Sequence, residues 1–143
     1  MKVMVLVKAT ATSEAGEMPG PELFEAMTTY NEALARAGIM LAGEGLRPTR
    51  DGVRIAFDGA RRDVRPGPFP DPNAQLAGFW LWQVRSMDEA IEWARRCPNP
   101  HPEPCELELR PLYEPDDFGD SLTPEVRARE EQLRDQIAAR DVP

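Results

Sequence analysis

Few residues of this chain are equipped for chemistry, and they are scattered. Glu44 lies between Gly43 and Gly45. Glycines let backbone approach a ligand closely, and a carboxylate at a cleft mouth could take a proton, although the same triplet also reads as a plain turn. Glu108 and Arg110 alternate within Glu106–Pro111 and so share one face of a strand. Arg110 could hold an anionic group in a cleft walled by tryptophan, or serve only in an ion pair between subunits. The single histidine, His101, stands between Pro100 and Pro102 with no acid placed to orient it, so it is a poor general base. With that one histidine in a loop, no Ser-His-Asp or Cys-His arrangement can be assembled. Cys97 and Cys105 flank the same loop. A disulfide between them is sterically conceivable, but reduced thiols are the expectation in a cytosolic chain. Two thiols and one imidazole also fall short of a metal site. Gly67 lacks the spaced glycines and helix start of a phosphate loop, and no cofactor is expected.

These side chains must be positioned by a small set of elements. Val3 to Val7 is nearly continuous in apolar character, as in a central strand, and Ala9 to Gly20 reads as a loop. Pro21 suits the first turn of a helix that carries Leu23, Met27, Tyr30, Leu34 and Ala37 at helical spacing and stops at Gly38. A second strand begins at Ile39 and ends in the flexible Gly43-Glu44-Gly45-Leu46. Val53 to Phe57 alternates cleanly, and Asp58-Gly59 turns it back through Arg61 to Arg65 as a hairpin. Pro66, Pro68, Pro70 and Pro72 take the chain out of the sheet as a stiff loop. The aromatic strand Phe79 to Val84 comes next. Ser86 with Glu89 three residues on predicts a capping box for the next helix, which the prolines from Pro98 to Pro104 end. After the last strand, a linker leads to a helix from Thr123-Pro124 with a thin apolar stripe of Val126, Leu133 and Ile137. The domain expectation is residues 1–115, then a linker and amphipathic helix over 116–143.

The order β-α-β, hairpin, β-α-β fits an α+β, ferredoxin-like split β-α-β sandwich with both helices on one face of an antiparallel sheet. The other face is then bare. Leu107 and Leu109 most naturally meet the helices, leaving Glu108 and Arg110 on the bare face beside an aromatic row. If Trp80 and Trp82 occupy that face, they expose more apolar surface than a monomer normally tolerates. The expectation is a homodimer through the open sheet face, with Phe69, Trp80, Trp82, Glu108 and Arg110 bounding a place for a small anionic or aromatic ligand.

Composition narrows the partners. A formal charge of −8 over 143 residues, with arginines interspersed among acids, argues against a nucleic-acid surface. The apolar opening Met1 to Val7 is far too short for a membrane span and lacks the form of a signal peptide, which predicts a cytoplasmic protein.

Taken together, several short motifs are similar to those of the YCII-related family, and more closely its DGPF branch, over roughly residues 1–113. They are Met1-Lys2-Val3-Met4-Val5-Leu6-Val7, Gly43-Glu44-Gly45-Leu46, Gly67-Pro68-Phe69, Gln75-Leu76-Ala77-Gly78-Phe79, Asp88-Glu89-Ala90-Ile91-Glu92-Trp93-Ala94, Cys97-Pro98 and Glu108-Leu109-Arg110-Pro111. The resemblance implies a ferredoxin-like fold paired as a dimeric α/β barrel, with activity unassigned. It suggests either an enzyme-like cleft or an accessory role beside extracytoplasmic-function sigma factors. The chain departs from the pattern where the branch's acid would stand, which here is Pro66, and Asn73-Ala74 replaces the Lys-Glu that usually comes after it. The His-Asp pair of the wider family has no counterpart. Glu44 and Arg110 remain the candidates for catalysis.

Overall fold

Lys2–Lys8 forms β1, and its alternation sets the architecture. Val3, Val5 and Val7 are buried, while Met4, Leu6 and Lys8 are half-buried on the opposite face. A strand with apolar side chains on both faces belongs in the middle of a sheet, and β1 has an antiparallel neighbour on each side. The computed structural model describes residues 1–140. After β1 come the one-turn helix α1 (Ala11–Glu14), α2 (Pro21–Arg36), β2 (Met40–Gly45), β3 (Val53–Asp58) and β4 (Arg61–Pro66). The chain continues with β5 (Leu76–Gln83), α3 (Met87–Arg95), β6 (Leu107–Pro111) and α4 (Pro124–Arg140).

The main sheet runs β2-β5-β1-β6 with every neighbouring pair antiparallel, and β3 and β4 form a separate two-stranded hairpin. The fold is mixed α+β with antiparallel sheets, and its strand order is compatible with the ferredoxin-like expectation. Among the described residues no sheet closes into a barrel. The chain divides into two compact units, Met1–Pro111 and a second beginning at Leu112, a few residues before the expected boundary. None of the described helices is long and apolar enough to cross a membrane.

Local chemistry explains most boundaries. Pro21 opens α2 and needs no hydrogen-bond partner for its nitrogen there. Ser86 Oγ accepts from Glu89 N at 3.2 Å, but the Glu89 carboxylate pairs with Arg85 instead of returning to Ser86, so only half of the expected capping box forms. α1 lies in a segment expected to be loop. Its signature is Thr10 and Ser13 bonding each other's backbone nitrogens at 3.2 and 2.9 Å, a box closed by serine rather than by Glu or Gln. The second strand also corrects expectation: Gly43 and Glu44 are paired residues of β2 rather than a flexible end.

The core shows which face of the sheet the helices cover. Val3 lies opposite Trp82 and Val5 opposite Trp80, so both tryptophans share the face of the buried valines. Trp80 is 6% exposed and Trp82 0%. They pack with Tyr30, Leu34, Ile39, Val84 and Ala90, and with Met87 and Trp93 at the margin. Trp80 Nε1 donates to Asn31 Oδ1 at 2.9 Å, and Tyr30 Oη donates to the Trp93 carbonyl at 2.6 Å, tying α2 to both the sheet and α3. Burial raises the Tyr30 phenol well above its usual range, so it stays a donor. The expectation of tryptophans on the bare face is therefore overturned. Two indoles offer the largest apolar area on β5, and that area is removed from water only under the helices. Phe79 and Leu81 take the bare face instead.

Candidate functional site: the open sheet face and the hairpin groove

Strand register arranges the open face in cross-sheet rows. Glu44, Phe79, Leu6 and Glu108 form one row, and Ala42, Leu81, Met4 and Arg110 the next. At the β6 edge, Lys8 Nζ is 3.5 Å from Glu108 Oε1, and Arg110 Nη1 is 3.8 Å from Glu108 Oε2. Glu108 thus sits between two cations, and the Arg110 side chain remains 71% exposed with hydrogen-bonding capacity to spare. Exposed pairs of this length add little stability. Glu44 is at the opposite edge. Three inter-strand steps separate it from Glu108, about 14 Å, so Glu44 and the Glu108–Arg110 pair cannot act on one atom.

Phe69 belongs to a different place. The loop Gly67-Pro68-Phe69, whose Gly67–Pro68 peptide is cis, is held by Thr49. Thr49 Oγ1 accepts from Phe69 N at 3.0 Å and donates to Glu14 Oε2 at 2.7 Å, while Thr49 N donates to Glu14 Oε1 at 3.0 Å. A Cβ at position 67 would lie 1.7 Å from the Thr49 carbonyl oxygen, so only glycine permits this approach. The Arg54 guanidinium stacks 3.9 Å above the Phe69 ring and donates to Gln75 Oε1 at 3.0 Å. Gln75, nearly buried, donates to the Pro70 carbonyl, and its own carbonyl accepts from Ala9 N at 3.0 Å. A groove of about 540 Å³ opens here, lined by Leu46, Val53, Phe69 and Leu76 among others. A second hollow, about 720 Å³, lies between the end of α2 and α3 and contains none of the residues named from the sequence as candidates for binding or catalysis.

The expected ligand-binding set is therefore distributed over three places. Trp80 and Trp82 are core, Glu44, Glu108 and Arg110 lie on the open face, and Phe69 lines the groove. Glu14, Thr49, Arg54 and Gln75, which hold the groove together, were missed. Glu14 and Thr49 are 35 residues apart and neither falls in an apolar period, so no local pattern links them. Arg50-Asp51-Gly52, next to Thr49, has the composition of a turn and is the nearby signal in the sequence.

The remaining candidates are occupied structurally. His101 Nε2 lies 3.0 Å from the Lys8 carbonyl, and Glu103 accepts from Thr12 N at 3.3 Å, fastening the proline loop to the end of β1. Hydrogen bonds from Thr10 and Thr12 hold the Glu103 carboxyl below its usual range. Both cysteines are free thiols. Burial pushes the Cys97 thiol up to about 12 and raises Cys105 as well, which makes them weak nucleophiles near neutrality.

Residues 1–112 match the profile of the YCII-related domain. The chain belongs to the YCII-related family. It is also similar to an uncharacterized protein of Rhizobium meliloti (strain 1021), 36% identical over 72 residues. That match spans 49% of this chain and 58% of the relative's length. In this YCII-related chain Pro66 ends β4 opposite Val53. Asp63, three residues before it, is engaged with Arg61 at 3.6 Å out on the hairpin.

Proposed function

We propose that this YCII-related protein is a small-molecule binder of the DGPF branch that works in the cytoplasm as a two-fold pair. Two ferredoxin-like sheets would face one another across their open faces and complete a dimeric α/β barrel. The observation that carries the reading is the content of the open face: Met4, Leu6, Phe79 and Leu81 make an apolar floor, with the exposed Arg110 at its edge. Large apolar side chains on an uncovered sheet face favour a partner that removes them from water. The ligand suited to such a space is small, with an apolar or aromatic body and an anionic group, because guanidinium binds carboxylate at two points. No reaction is assigned to it, since Pro66 stands where the branch has its acid.

Benzoate is the probe. Titrated into the wild-type pair by calorimetry, it is expected to bind, and Arg110→Ala is expected to weaken binding at least about tenfold while sedimentation still shows a dimer. Equal affinity in Arg110→Ala would remove Arg110 from the site, and a wild-type monomer at all concentrations would remove the pairing.

A second reading is a non-catalytic dimeric module with a regulatory role, such as partnership with an extracytoplasmic-function sigma factor. It draws on Pro66 and on the C-terminal unit, where Tyr113, Leu133 and Ile137 are exposed. Deleting residues 120–143 is then expected to leave the dimer folded and abolish sigma-factor binding. Unfolding on deletion would give α4 a structural role instead.

A further inference from the structure

The hairpin β3–β4 is amphipathic the wrong way round. Its side chains alternate in two rows. Arg54, opposite Arg65, turns toward the body of the domain and meets Phe69 and Gln75, and the half-buried Ala56 shares its row. Ile55 and Phe57, with Val64 across from Ile55, turn the other way and are 50%, 70% and 65% exposed, while Val53, in the same row, ends it at the rim of the groove. A two-stranded ribbon is marginal by itself, and this one leaves its apolar row in water.

Charge indicates what the row fits. Residues 47–65 contain six arginines (47, 50, 54, 61, 62 and 65) and three aspartates (51, 58 and 63), hence 6 − 3 = +3 in a chain of −8. Residues 9–35 contain five glutamates (14, 17, 22, 25 and 32) and no lysine or arginine, hence −5. Within that acidic stretch Met18 and Phe24 are exposed, flanked by the exposed Glu17, Glu22 and Glu25. On the hairpin, the Arg62 guanidinium lies 4.5 Å above the Phe57 ring, so positive charge borders the apolar row directly. The chain thus carries an apolar centre with a basic border and another with an acidic border.

We propose that the outward face of β3–β4 docks on the Met18–Phe24 patch of a second copy of this chain. Ile55 and Phe57 meet Phe24, and Arg62, in the same outward row, meets the glutamates at the start of α2. A closed pair makes the contact twice. The contact uses no residue of the open sheet face, so it stands or falls independently of pairing through the sheets.

The test is a charge swap on the full chain, read by sedimentation velocity. The variants Arg62→Glu, in the outward row opposite Phe57, and Glu22→Arg/Glu25→Arg alter only exposed side chains, and circular dichroism checks that each remains folded. Each alone opposes like charges at both contacts and is expected to associate at least about tenfold more weakly than wild type. Mixed in equal amounts, the two restore opposite charges at both contacts, so a heterotypic pair is expected. Leu81→Lys, on the open face, is expected to leave that recovery intact while disrupting any pairing through the sheets. The proposal is overturned if either swap leaves association unchanged, or if the mixture sediments as the sum of its parts.

Discussion

In β1 the alternating Val3, Val5 and Val7 disappear beneath α2 and α3, whereas in β3 the alternating Val53, Ile55 and Phe57 stay in water. Both strands obey the same period of two, and both are paired antiparallel. The difference lies in the next stretch of chain. β1 leads to a helix long enough to lie across the sheet, while β3 leads to a tight turn that returns the chain beside itself. Alternation sorts side chains into rows, but the covering element decides which row is core. The hairpin therefore contributes little to the stability of one chain and offers surface to another.

Truncation of one residue from each region gives the largest expected contrast. Trp82→Ala removes a fully buried indole and is expected to cost about 3–5 kcal/mol in urea unfolding. Phe57→Ala is expected to cost no more than about 0.5 kcal/mol. Comparable losses would mean that the hairpin row is already covered within a single chain.

The joint between the two regions comes next. Gly67→Ala would push a methyl group into the Thr49 carbonyl and is expected to cost about 2–3 kcal/mol. Thr49→Val keeps the shape but removes the hydroxyl shared by Glu14 and Phe69, with an expected cost of about 1–2 kcal/mol. Hydrogen exchange should show the loss of protection concentrated at residues 49–69, and a uniform loss over β1 and β5 would show that the joint supports the main sheet too.

The last contrast is silent at neutral pH: a pH dependence confined to the helix-covered region, which develops only in alkali. In the unfolded chain Cys97 releases its proton near 9.0, whereas in the fold it keeps the proton up to about 12. The unfolded state binds fewer protons between those values, so stability is full below pH 9 and falls as pH rises toward 12. Cys97→Ala should reduce that slope in urea midpoints without abolishing it, because burial also raises Cys105 and Tyr30, and hairpin substitutions should leave it unchanged. A slope undiminished in Cys97→Ala would assign it wholly to those other groups.

Much of the frame was legible because local rules govern it. Pro21 and Gly38 bracket α2, Ser86 caps α3, Asp58-Gly59 makes the hairpin, and Leu107 and Leu109 face the helices as their alternation implies. The orientation of β5 was not legible. Trp80 and Trp82 form one row in sequence, but their placement depends on register with Val5 and Val3, some 75 residues away along the chain. The site failed to assemble from sequence for the same reason. Glu44 and Arg110 look like partners until three strand spacings separate them, and Thr49 looks ordinary until Glu14 and Phe69 close on its hydroxyl.

Gly43 and Trp80 form a lock of two positions. A side chain at 43 would begin 2.6 Å from the Trp80 ring, so the indole lies in the volume the glycine leaves empty. Neither residue can drift independently: enlarging 43 requires a smaller ring at 80, and shrinking 80 opens a void beside 43. Among descendants of this chain the two positions are bound to travel as a linked allele, crossing between packing solutions only by a double change or through a weakened intermediate.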